Sequence, residues 1–126
     1  MSARTGSKGV DAAPTGDAVN EVRLVGRISA APEERVLPSG DSVWTFRIVV
    51  PRPADDRGAS RQTVDALECA VWAGRVRRSV AAWAVDDVVE VSGSLRRRFF
   101  RAGGSAASRF EVEVSRGRLI RRAGTG

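Results

Sequence analysis

Residues 73–85, AGRVRRSVAAWAV, interrupt the alternation that governs most of the chain. Val76, Val80, Trp83 and Ala84 fall on one helical stripe, with Arg75, Arg77 and Arg78 near the opposite side, so the period is that of an amphipathic helix. On both sides of it the period is two. Residues 62–72 (QTVDALECAVW) alternate Leu67, Cys69 and Val71 with Ala66, Glu68, Ala70 and Trp72, and residues 87–98 (DVVEVSGSLRRR) alternate through Val89, Val91, Gly93 and Leu95. One helix is therefore predicted between two strands.

Further outward, residues 41–50 (DSVWTFRIVV) place Trp44, Phe46, Ile48 and Val50 on one face and Val43, Thr45, Arg47 and Val49 on the other. The bulky set is expected to face the core. Pro51 and Pro53 end this strand because neither can donate a ladder hydrogen bond. Residues 19–29 (VNEVRLVGRIS) alternate Val22, Leu24, Gly26 and Ile28 against Glu21, Arg23, Val25 and Arg27. Residues 31–40 (APEERVLPSG) hold two prolines and a closing Ser-Gly, which predicts a loop. A last strand runs over residues 109–120 through Phe110, Val112 and Val114, and residues 101–108 (RAGGSAAS) are expected to form a mobile hairpin tip. Residues 1–18 lack periodicity and apolar content and are expected to be a disordered arm, with residues 122–126 a short flexible end.

Three strands, a helix and two strands are the element order of the five-stranded Greek-key barrel called the OB-fold, an all-β class with one helix between strands three and four. With 126 residues and 42% hydrophobic content, the chain supplies one core, over residues 19–121. The net charge of +6 favours a polyanionic partner, nucleic acid before an anionic membrane surface. Lys8 is the single lysine, and arginine suits phosphate and base planes, although an Arg-rich composition also follows from a genome rich in G and C. One cysteine, Cys69, and no histidine exclude an intrachain disulfide, a zinc cluster and histidine-based acid/base chemistry. No enzyme, metal or cofactor is expected. No apolar leader or membrane-length segment occurs, so the expected location is the cytoplasm, associated with the nucleoid.

Sequence-independent binding of single strands needs cations along the backbone and flat side chains on which bases stack. Residues 96–101, Arg-Arg-Arg-Phe-Phe-Arg, place four guanidinium groups around Phe99 and Phe100. Counting from inward Leu95, Arg96, Arg98 and Phe100 face the other side. The competing reading is a solvated basic hairpin with the phenylalanines tucked beneath it. Trp72 also points away from the inward set, as a base platform or as a cover for the strand-to-helix junction. Trp44 is expected in the core or at a subunit contact, Trp83 in the core, and Arg47 on an open groove face.

Asn20-Glu21-Val22-Arg23-Leu24-Val25-Gly26, then Pro32-Glu33-Glu34-Arg35, Pro38-Ser39-Gly40, and Val89-Glu90-Val91-Ser92-Gly93-Ser94-Leu95 resemble the bacterial single-stranded DNA-binding proteins, in the right order from about Asn20 to Leu119. The resemblance implies an OB-fold, usually a homotetramer, that wraps single-stranded DNA in replication, recombination and repair. It assigns DNA contacts to Arg35, Arg47, Trp72 and Phe100, with Phe99 adjacent. Two departures weaken the groove: Ala66 stands where the family often has a tryptophan, and residues 51–54 (PRPA) lack another. Asp86-Asp87 replaces a usual Lys-Gly, and the flexible tail with an acidic tip is missing, which implies a short form without recruitment of replication proteins by that route. The rival readings are a protein-interaction or primosome-type subunit with weak DNA binding, and a binder of single-stranded RNA.

Overall fold

The bulky face of the second strand does point inward. The computed structural model describes residues 15–56, 61–72 and 74–124. Among them the strands are β1 (Val22–Val36), β2 (Ser42–Pro51), β3 (Val64–Val71), β4 (Val88–Ala102) and β5 (Ser105–Arg121), with helix α1 (Val76–Ala81) between β3 and β4. They close into a barrel in the order β1-β2-β3-β5-β4. The pairings are antiparallel except β3 with β5, which run parallel through Cys69 opposite Val112 and Ala70 opposite Glu113. This is the predicted five-stranded barrel, with its helix where the period changes.

The core takes alternate residues from every strand: Ile28, Phe46 and Ile48, Cys69 and Val71, Val89 and Val91, Val112 and Val114. Val80 and Trp83 cap it from the helical segment, and Trp83 meets Phe46 edge-on with ring centroids 5.6 Å apart. Trp44 packs half-buried against the same cluster, as expected. Gly93 lies against the next strand so closely that a Cβ there would stand 1.9 Å from the Glu113 carbonyl oxygen. Backbone approaches of this kind let a small barrel curve.

Several boundaries differ from the sequence reading. Residues 31–36 are strand, not loop: β1 runs on past Pro32 to Val36, and its register with β2 shifts between Ile28 and Ala30 and again between Ala30 and Glu33. Bulges take up the proline's missing donor, so only the short turn around Gly40 remains. The helix is shorter than residues 73–85. The tip expected over residues 101–108 shrinks to Gly103-Gly104, both with positive φ as a two-residue hairpin loop requires, and its flanks pair as strand. Val43, placed by alternation on the outer face, is buried, while Leu95 keeps its inward parity but is 44% exposed. The first strand begins at Val22; just before it the Asn20 side chain both donates to and accepts from the Leu95 backbone at 2.8 Å, in place of a ladder pair. Of the arm expected over residues 1–18, residues 1–14 lie outside the described residues, and Thr15–Asp17 makes one 3-10 turn.

Asp86 and Asp87 form the entry to β4. Asp86 adopts a positive φ of 75°, which aspartate tolerates, and ion-pairs with Arg27 at 2.9 Å. The buried Asp87 carboxylate accepts from the Ala123 N–H at 2.8 Å and the Ala84 N–H at 2.9 Å, tying the chain after β5 to the segment after the helix.

Candidate nucleic-acid interface

Directly paired residues on neighbouring strands share a side of the sheet, so register assembles the outer face. Arg35 pairs with Val43, Arg47 with Glu68, Ala70 with Glu113, Glu111 with Arg96, and Arg109 with Arg98. Trp72 follows Val71, the partner of Trp44, and so stands level with Val43. Arg35, Arg47, Trp72, Arg96, Arg98 and Phe100 thus belong to one continuous outer face across β1, β2, β3, β5 and β4. Phe99 does not. Its alternation puts it on the reverse side, where its ring is 73% exposed.

The outer face is not a bare row of cations. Arg47 donates to Glu68 at 2.7 Å, Arg96 to Glu113 at 3.0 Å, and Arg98 to Glu111 at 2.9 Å and Glu113 at 3.2 Å. Glu111 is buried, and Arg109 approaches it from the other side at 3.8 Å, so two guanidinium groups compensate one desolvated carboxylate. Arg35 has no ion pair among the described residues. The Arg98 guanidinium also lies over the Trp72 ring, 5.1 Å from its centroid, and Arg109 lies 5.5 Å from that of Phe100. Trp72 is therefore half-covered, and its indole N–H is buried without a hydrogen-bond partner among the described residues. Trp72 stands just past the end of β3 with one ring face under an arginine of the outer face.

Alternation placed Arg47, Trp72, Arg96, Arg98 and Phe100 on one side, and the structure brings them together. It missed Arg109, Glu111 and Glu113. Their signal was available in residues 109–114, where Val112 and Val114 face inward, Phe110 shares their parity, and the residues between them must stand on the opposite side. Among the described residues no group of three or more His, Cys, Asp or Glu could hold a metal, and no helix is long and apolar enough to cross a membrane.

A closed five-stranded barrel with a helix between its third and fourth strands, bearing arginines and aromatics on one outer face, defines a protein of the OB-fold class. Residues 19–120 match the Single-strand binding protein family, and the chain belongs to that family. Among similar curated proteins, Single-stranded DNA-binding protein 3 of Listeria innocua is 43% identical over 54 residues, covering 43% of this chain and 33% of its own. The Single-stranded DNA-binding protein of Oceanobacillus iheyensis is 30% identical over 82 residues, covering 65% of this chain and 50% of its own. The matched segments span from a third to half of these relatives. A solved Plasmodium falciparum SSB complex with ssDNA shares the fold, with a TM-score of 0.66, 23% identity, and coverage of 83% of this chain and 96% of that one.

Proposed function

We propose that this chain binds single-stranded DNA without catalysis and with little regard to sequence, serving replication, recombination or repair in the cytoplasm at the nucleoid. The observation that carries this reading is the outer face, on which Arg35, Arg47, Arg96 and Arg98 share one side with Trp72 and Phe100 on a barrel of the single-strand binding family. Phosphates exchange for carboxylates on the arginines, and bases stack on the aromatic rings. Assembly as a homotetramer follows the family's habit and would align several such faces for one strand to wrap.

The carboxylates on the face favour a second reading, a protein-interaction subunit whose arginines are committed internally. Titration of a labelled oligothymidylate by fluorescence anisotropy, at several salt concentrations and beside duplex and RNA controls, decides between them. Single-strand DNA binding predicts a log K against log salt slope of about −0.7 per neutralised phosphate. Salt-independent affinity, or equal affinity for duplex, sinks the proposal. Sedimentation in the same buffer reports the assembly.

A further inference from the structure

β4 pairs with β1 only as far as Gly93, and β5 meets β3 only at Val112 and Glu113. Residues 96–111 of these strands and their turn therefore pair only with each other, as a two-stranded ribbon with two faces. One face carries Arg96, Arg98, Phe100, Arg109 and Glu111, already described. The other carries Arg97, Phe99 and Arg101 from β4 and Ser108 and Phe110 from β5, and it has no carboxylate.

On this reverse face the Arg97 guanidinium sits 5.1 Å from the Phe99 ring centroid and 5.6 Å from that of Phe110. Its polar contacts are to the Ser108 hydroxyl, at 3.3 and 3.2 Å. Arg101 reaches the Gly104 carbonyl oxygen. Neither arginine has an ion pair among the described residues, whereas Arg96, Arg98 and Arg109 on the outer face all do. Phe99 and Phe110 are 73% and 59% exposed. A cation with unspent charge between two open aromatic rings meets both needs of a nucleotide, a donor for the phosphate and a plane for the base.

We infer that the reverse face of the ribbon is a second nucleotide site, built from Arg97, Phe99 and Phe110, which a single strand reaches by passing round the ribbon from the outer face. The inference rests on the single-strand binding reading. A second copy of the chain is the poorer occupant. A twofold contact between two such faces would gather four guanidinium groups with no carboxylate among them, and like charges brought together oppose association.

The test uses the full chain and the double variant Arg97→Gln/Phe110→Ser, with labelled oligothymidylates of about 6 and about 30 nucleotides, since one OB-fold engages roughly 4–16. Both altered side chains are exposed, and circular dichroism checks that the variant melts like the parent. The short oligomer, seated on the outer face, should bind both proteins within about twofold. The long one should bind the variant at least about fivefold more weakly, as the loss of one base stack requires, and Trp72→Ala should weaken both lengths. If the variant binds the long oligomer as the parent does, the reverse site is wrong and the outer-face reading stands. If the variant changes sedimentation and neither affinity, the face is a contact between copies and the inference falls. If the parent binds neither oligomer, both readings fall together.

Discussion

Arg98 and Trp72 form the hinge of the proposed groove, a guanidinium lying 5.1 Å from the centre of an indole whose N–H is buried without a hydrogen-bond partner among the described residues. A base approaching Trp72 must extend that stack or displace the arginine from it. Trp72→Ala should weaken oligothymidylate binding by about 1–3 kcal/mol, the worth of one base stack, in a protein that still folds. Phe100→Ala should act alike. Intrinsic fluorescence follows the same event, since Trp44 and Trp83 pack with the core and only Trp72 should be quenched. A Trp72→Ala protein that melts early yet binds normally would make this residue a cover for the barrel end.

Glu113 touches both Arg96 and Arg98 and so competes with phosphate for two cations at once. Glu113→Gln keeps the shape and removes the competing charge. We expect several-fold tighter binding at low salt and a steeper salt slope, because each released arginine can neutralise a phosphate, at about 0.7 in slope. Weaker binding would show instead that the carboxylate is needed to aim the arginines.

Gly93→Ala should disrupt the fold rather than the face. The added Cβ meets backbone at 1.9 Å, which no side-chain rotation relieves, so the cost should reach or exceed the roughly 1–3 kcal/mol typical of overpacking. Trp83→Ala, which empties the core beside Phe46, should cost about 3–5 kcal/mol. Urea unfolding measures both. A Gly93→Ala protein as stable as the parent would mean that β4 and β5 separate more readily than their register implies.

Acid should loosen the chain after β5. The Ala123 N–H, then the Ala84 N–H, and the Arg122 charge hold the Asp87 carboxyl below its usual range, against the opposing effect of burial. A carboxyl depressed in the folded state adds stability above its unfolded value of about 4, and that stability is lost as pH falls through the folded value. Thermal melts of Asp87→Asn should therefore vary less with pH below about 4 than those of the parent. Some acid sensitivity should remain, because Asp65 beside Arg52 and Glu90 beside Arg23 are also lowered. Identical pH profiles would show that Asp87 is protonated alike in both states.

The barrel was legible because its signals are local. Ile28, Ile48, Val71, Val91 and Val112 each alternate with a polar or small neighbour, and Val80 and Trp83 keep helical spacing. Pro32 was not legible as strand, because whether a bulge can absorb a proline depends on the partner strand. Residues 101–108 have a loop's composition, yet β4 and β5 pair through them, since Gly103-Gly104 alone can turn the chain. That tight turn fixes which glutamate meets which arginine. The ion pairs of Arg96 and Arg98 were hidden for that reason, while the side on which each stands was not. Phe99 shows the limit of adjacency: beside Phe100 in sequence, it lies on the opposite face.

The parallel contact of β3 with β5 is the narrowest seam in the barrel, and the chain's single thiol sits in it, Cys69 opposite Val112. Burial pushes that thiol up to about 12, so in the closed barrel it is neither ionised at neutral pH nor reachable. A thiol reagent can then act only when the core around Cys69 opens, locally at the seam or with the whole barrel, and the rate of labelling counts those openings. Cys69 is thus a built-in clock for how often the ring opens, and a strand of DNA lying across β3 and β5 should slow it.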